Sequence, residues 1–209
     1  MKRILLMTLP AFLLGSCYPA GPEYVDDLDV VYTTYDETYD FQGQNTYAMP
    51  DKIVVDIEIE QGAVGRDTTF VYMKDALAAP ILAAIDARMQ AYGWSKVNIS
   101  AAPDVVINPA AISSTTYYYS YWYDWWYGGY YGGYWGWYYP PYYSVSSITT
   151  GSLVLTMADP SLAETSPIGK SPLAWLVVAN GVASGYGEVG RVTKAIDQAF
   201  AQSPYLKTN

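Results

Sequence analysis

Side chains suited to chemistry are scarce in this chain. Of its 209 residues none is histidine and one, Cys17, is cysteine, so the commonest general base and the commonest zinc ligand are missing. No internal disulfide can form, and no second thiol is available for a redox pair. A serine nucleophile would need a lysine as its base. Ser166 with Lys170, or Ser171 with the same lysine, is the available pairing, in a Pro/Gly-containing loop without a recognisable motif. The acidic groups Asp26-Asp27-Asp29 and Asp36-Glu37-Asp40 lack the alternating spacing, central Gly and terminal Glu of an EF-hand loop, and read as solvated surface. Gly185-Tyr186-Gly187-Glu188-Val189-Gly190 fits G-x-G-x-x-G between an expected strand and an expected helix. Nineteen residues follow it, too few for the rest of a βαβ unit, and no acidic residue stands about twenty positions on to hold a ribose. The expectation is a protein with no catalytic residues, no metal and no cofactor.

Cys17 has a different use. Lys2 and Arg3 precede an uncharged run from Ile4 to Leu14, a positive n-region followed by an h-region. As a helix that run rises only about 16 Å, roughly half a bilayer's hydrocarbon core, and Pro10 interrupts it. It ends in Leu14-Gly15-Ser16-Cys17, which resembles the lipobox of bacterial lipoproteins. Cleavage before Cys17 and lipidation on it are therefore expected, with residues 1–16 as signal peptide. Several acyl chains, at about 0.8 kcal/mol per buried CH₂, hold a protein on a bilayer far more firmly than one. Tyr18 stands where an Asp would resemble an inner-membrane retention signal, which favours the outer membrane. Losing Lys2 and Arg3 makes the mature chain two charges more negative than the −9 of the whole, a surface that repels nucleic acid. Residues 17–27, with Pro19, Gly21 and Pro22, read as a tether.

The most conspicuous segment runs from Tyr117 to Tyr143. It holds thirteen Tyr, five Trp and five Gly, and Asp124 is its single charge. Consecutive aromatics point to both faces of an extended chain, so a sheet with one covered face could bury only half of them. Gly128-Gly129 and Gly132-Gly133 suggest tight turns and Pro140-Pro141 a stiff exit, giving a hairpin or loop insertion. Four readings stay open: a biased linker or a segment packed on its own domain, a docking surface for a protein or a second copy, a contact with lipid headgroups, and stacking on glycan. Single-stranded nucleic acid also stacks on aromatics but needs a basic groove that is absent. The candidate partner-binding residues are Tyr119, Trp122, Trp125, Trp126, Tyr130, Trp135 and Trp137.

These groups need a scaffold, and periodicity outlines one over residues 28–209. Val30–Thr34 and Thr46–Met49 read as short strands. From Ile53 to Glu60 apolar residues alternate with acidic ones, so that Ile53, Val55, Ile57 and Ile59 face a core and Asp56, Glu58 and Glu60 face solvent. A helix is expected from about Asp75 to Tyr92, with Ile81, Leu82, Ile85 and Met89 as its apolar stripe and Gly93 as its stop. It either starts at Pro80 or bends there. Strands follow at Asp104–Ile107, Leu153–Met157 and Leu173–Val178, the last two pairing through the connection from Ala158 to Pro172. A final amphipathic helix carries Val192, Ile196, Ala199 and Phe200 after Gly190 and ends near Pro204. The fold class is α+β, a mostly antiparallel sheet with two helices on one face, plus the aromatic insertion at 117–143.

In its order of pieces the chain resembles the bacterial lipoprotein family catalogued as domain of unknown function 4136. The matching pieces are Val31-Tyr32-Thr33-Thr34-Tyr35-Asp36, Asn45-Thr46-Tyr47-Ala48-Met49, Tyr92-Gly93-Trp94, Pro103-Asp104-Val105-Val106-Ile107, the aromatic run, Leu153-Val154-Leu155-Thr156-Met157, and Trp175 with Gly181-Val182-Ala183-Ser184-Gly185. The residues around Asn180 depart from the pattern by lengthening the step after the Trp strand. The resemblance implies an envelope lipoprotein and supplies no catalytic residues. The leading expectation is a non-catalytic, membrane-anchored envelope lipoprotein that presents the aromatic surface to an envelope partner. The alternatives are a cell-wall glycan-binding module and a hydrolase with a cryptic site at Ser166 and Lys170.

Overall fold

The structure is a computed structural model and describes residues 30–62, 65–112, 151–165, 173–182 and 189–208. The signal peptide, the tether and the aromatic insertion lie outside the described residues. Among the described residues eight strands form one open sheet: β1 (Val30–Tyr35), β2 (Thr46–Ala48), β3 (Val54–Gly62), β4 (Gly65–Tyr72), β5 (Ser95–Lys96), β6 (Val105–Ile112), β7 (Ser152–Ala158) and β8 (Leu173–Asn180). Among the described residues three α-helices accompany them, α1 (Asp75–Ala91), α2 (Pro160–Thr165) and α3 (Val189–Ala201). The main strand order is β1-β8-β7-β6-β2-β5, and β3 joins β6 beside β2 and carries β4 on its other edge.

The sheet is mixed. The pairs β1/β8, β8/β7, β7/β6 and β3/β4 are antiparallel, whereas β2 and β3 both run parallel to β6 and β2 parallel to β5. Parallel neighbours need a long crossover, and α1 together with the β3–β4 hairpin supplies it between β2 and β6. β2 meets β6 at Val105 and Val106, and β3 meets it again at Ala110. Pro109, which has no N–H to donate, falls in the gap between them.

Both long helices lie on one face of the sheet. Ile81, Ile85 and Met89 of α1 and Val192, Ile196 and Phe200 of α3 share a core with Ile107, Leu155, Met157, Trp175 and Val177. Leu82, the fourth residue of the expected α1 stripe, packs against this core while partly exposed, and Ala78 takes the fully buried place. Helix α1 begins at Asp75, so Pro80 sits inside it, exposed on its outer side. Its end is a Schellman motif: the Gly93 amide donates to the Gln90 carbonyl and the Trp94 amide to that of Met89, with Gly93 at φ 95°. Helix α3 begins one residue ahead of Gly190.

The strict alternation expected from Ile53 fails at the start of β3. Ile53 and Val54 are both buried and Val55 is partly so. A register shift between Val54 and Asp56 opposite β4 turns the pleat there, and Asp56 then emerges exposed as expected. The side chains of Ile57, Glu58, Ile59 and Glu60 lie outside the described residues.

Candidate functional site

The strands β6, β7 and β8 are buried on both faces. On the face away from the helices the register lines up Val106 with Ala158, Asn108 with Thr156, Ala110 with Val154, then Val154 with Val178 and Thr156 with Leu176. All of these residues are buried, although none joins the core that the helices form. Toward β1 the face becomes exposed at Tyr32 and Val30, which pair with Val178 and Asn180. Beside it an open cleft of about 480 Å³ runs between residues 48–51 and 96–99 and reaches Val106. The near-continuous apolar stretch Leu173–Val178 is the sequence signal for this second buried face, because a strand covered on one side only would alternate.

One end of the sheet gathers the chain's entrances and exits. Val30 pairs with Asn180, Ala179 with Leu153, and Ser152 with Ile112. At about 4.8 Å per strand, the start of β1 lies roughly 10 Å from the start of β7 and roughly 15 Å from the end of β6. The tether ahead of Val30 and both ends of the 113–150 segment therefore meet the sheet at the same end.

The opposite end carries the polar side chains. Asp159 caps α2, accepting from the Ser161 amide at 2.8 Å and the Ser161 hydroxyl at 2.7 Å, and its other oxygen accepts from the Tyr39 hydroxyl at 3.0 Å. Burial, and then the Asp159 charge, push the Tyr39 phenol far above its ordinary value, so it stays protonated as a donor. Asp104 accepts from the amides of Asn45 and Thr46 and from the Thr46 hydroxyl. Its partial burial raises the carboxyl, and these bonds, led by the Asn45 amide, outweigh that and hold it below the usual carboxylate value. On the helix side, Tyr47 donates to Asp86, which also receives Lys96 at 2.8 Å. Burial, then that hydrogen bond, push the Tyr47 phenol up as well.

These contacts are architectural. All three bonds to Asp104 fall on Oδ2, which holds the start of β2 against the start of β6. Asp36 accepts from Thr38, and Asp40 from the amides of Gln42 and Gly43, so the Asp36-Glu37-Asp40 group builds turns. Among the described residues no cluster of three acidic, Cys or His side chains could hold a metal, and no helix is long and apolar enough to cross a membrane. Cys17 and the aromatics Tyr119, Trp122, Trp125, Trp126, Tyr130, Trp135 and Trp137 lie outside the described residues. So do Ser166, Lys170, Ser171 and the stretch Gly185–Glu188. Val189 and Gly190, the end of the G-x-G-x-x-G match, start α3.

The arrangement is that of an α+β domain with a mixed open sheet, helices on one face and a second buried face on the other. The family model for a domain of unknown function (DUF4136) matches residues 31–205, and the chain belongs to that family. A crystal structure of a DUF4136 family protein from Bacteroides thetaiotaomicron is similar over 86% of this chain and 97% of the other, at 30% identity and a TM-score of 0.60. No curated protein matches the chain.

Proposed function

We propose that the protein is a non-catalytic lipoprotein of the bacterial envelope, held through Cys17 in the outer membrane, that presents its aromatic insertion to a protein partner at that membrane. The observation that carries this reading is the shared end of the sheet, with Val30 beside Asn180 and Ile112 beside Ser152. The tether of residues 17–27, with the two residues that lead from it to Val30, extends at most about 45 Å. An insertion rooted at the same end stays close to the lipid that the tether leads to. Tyr and Trp suit such a role, since they give large contact area with few rotatable bonds. The polar groups at the opposite end, committed to turns, caps and strand contacts, leave no arranged nucleophile and base among the described residues.

The test is cross-linking followed by purification from intact envelopes, comparing the full chain with one lacking residues 117–143 at equal expression. A defined protein captured by the full chain and lost from the deletion supports the reading, and identical captures overturn it. Cys17→Ala should accumulate as precursor or lose its lipid mass; an unchanged lipidated product removes the anchor.

A further inference from the structure

Strand β1 is an edge of the sheet, paired among the described residues with β8 alone. Its ladder fixes which main-chain groups that pairing uses. The Asp36 amide donates to the Ala174 carbonyl, so these two residues form a hydrogen-bonded pair, and in an antiparallel ladder every second residue does the same. Val30, Tyr32 and Thr34 therefore turn their N–H and C=O groups to β8, and Val31, Thr33 and Tyr35 turn theirs to the open edge.

Edges of this kind are ordinarily blunted by a charge, a proline, a bulge or shortness. β1 uses none of these devices: Val-Val-Tyr-Thr-Thr-Tyr runs six residues without charge or Pro, and its register against β8 has no shift. Among the described residues it also holds three of the four large apolar side chains that are exposed, Val30, Tyr32 and Tyr35.

The strand is its own complement. A two-fold axis through Thr33 sets a second β1 antiparallel to the first, with Thr33 opposite Thr33, Val31 opposite Tyr35 and Tyr32 opposite Thr34. These are Thr–Thr and aromatic–β-branched pairs, combinations that stabilise antiparallel sheets. The same axis brings the outward groups of the two copies together, donor to acceptor, for about six new main-chain hydrogen bonds. Charge favours the arrangement as well. The chain carries −9, yet the carboxylates that follow the strand, Asp36 and Glu37, fall at opposite ends of the pairing. The two Asp36 residues stand roughly 20 Å apart along the strand direction, beyond the screening length of about 8 Å at physiological salt.

We infer that β1 is the interface through which two copies of this chain join, edge to edge, into one continuous sheet. The occupant is a second copy rather than an unrelated strand because the side-chain pairs match in self-register. The inference does not rest on the envelope reading, since β1 keeps its register whatever the aromatic insertion meets.

The test is sedimentation equilibrium of the full chain in density-matched detergent from about 1 to 300 µM, a range that brackets micromolar association. Thr33→Pro deletes an outward N–H and leaves the β8 ladder intact, a placement that an edge strand tolerates. Tyr32→Lys sets two ammonium groups on diagonal positions about 7 Å apart across the axis. The wild type should show a monomer–dimer equilibrium, and each variant should raise its dissociation constant about tenfold or more. A wild type that stays monomeric throughout overturns the inference, as does a dimer that either variant leaves unchanged. Where Thr33→Pro lowers the urea midpoint of the monomer, the decision passes to a benzophenone amino acid at Tyr32 in a mixture of heavy-nitrogen-labelled and unlabelled chains. An adduct joining the two kinds of chain within Val30–Asp36 supports the interface, and the lack of one overturns it.

Discussion

At Asp104 a carboxylate fixes one strand against another. It accepts from the amides of Asn45 and Thr46 while its own amide donates to the Thr46 hydroxyl, stitching the start of β2 to the start of β6. Its folded value lies below the ordinary carboxylate value of 3.8, so its contribution to stability is present above about pH 4 and is lost as pH falls through the lower folded value. Asp104→Asn should cost about 1 kcal/mol at pH 7, toward the low end for bonds to a charged group because the site is partly open to water. In urea titrations at pH 7 and pH 3, the wild type should lose more stability between the two than the variant. An equal loss in both would assign the acid sensitivity elsewhere. Nothing in the local sequence around Asp104 marks this role, since its partners stand far upstream at Asn45 and Thr46. By contrast, the surface assignment of Asp36 and Asp40 was legible, because their contacts are with residues two or three positions on.

Elements with strong local signals were readable. Helix α1 was predictable from its stripe, and Gly93 from the need of a helix stop for a left-handed residue. Gly93 also has a second duty invisible in sequence: a Cβ there would stand 2.3 Å from the Thr208 hydroxyl oxygen. Gly93→Ala should therefore cost about 2 kcal/mol, from the positive φ and from this crowding together. Thr208→Ala in the same chain should recover part of that loss in a double-mutant cycle. Additive effects in denaturant titrations would show that the backbone angle alone matters. Strand β4 and the two-residue β5 escape periodicity. β4 is rich in polar residues and is held mainly by its ladder to β3, and β5 is set by the parallel pairing of Thr46 with Ser95 and Tyr47 with Lys96. The start of β3 departs from the expected alternation because a register shift changes which residues point inward, and alternation assumes an unbroken pleat.

At the level of the whole molecule, the C-terminal residues bind the two helices and the sheet together. The Trp94 indole donates to the Leu206 carbonyl at 2.7 Å, Trp175 to the Ser203 hydroxyl at 3.0 Å, and the Tyr92 hydroxyl to the Phe200 carbonyl at 2.6 Å. Leu206 is fully buried, and the Thr208 amide donates to the Tyr92 carbonyl. A chain ending at Ser203 should lose about 3 kcal/mol or more, as a buried Leu and its neighbours' hydrogen bonds disappear. Its Trp fluorescence should shift to the red as Trp94 meets water. A truncated chain with the full denaturation midpoint would contradict this. The α+β class and the helix pair on one face were legible from the order and periodicity of segments. The mixed sheet was not, since β2 and β3 meet β6 across the whole of α1, and no local pattern encodes a partner that distant.

The ladder between Val30–Tyr35 and Leu173–Asn180 joins the first of the described residues to the last described strand. While the chain is being made, β1 therefore waits without its neighbour until β8 has appeared. Partnerships of such long sequence separation place a domain among slow folders, on a scale of milliseconds to seconds. A growing chain of this design remains open through most of its synthesis and completes its fold only when the whole length is available.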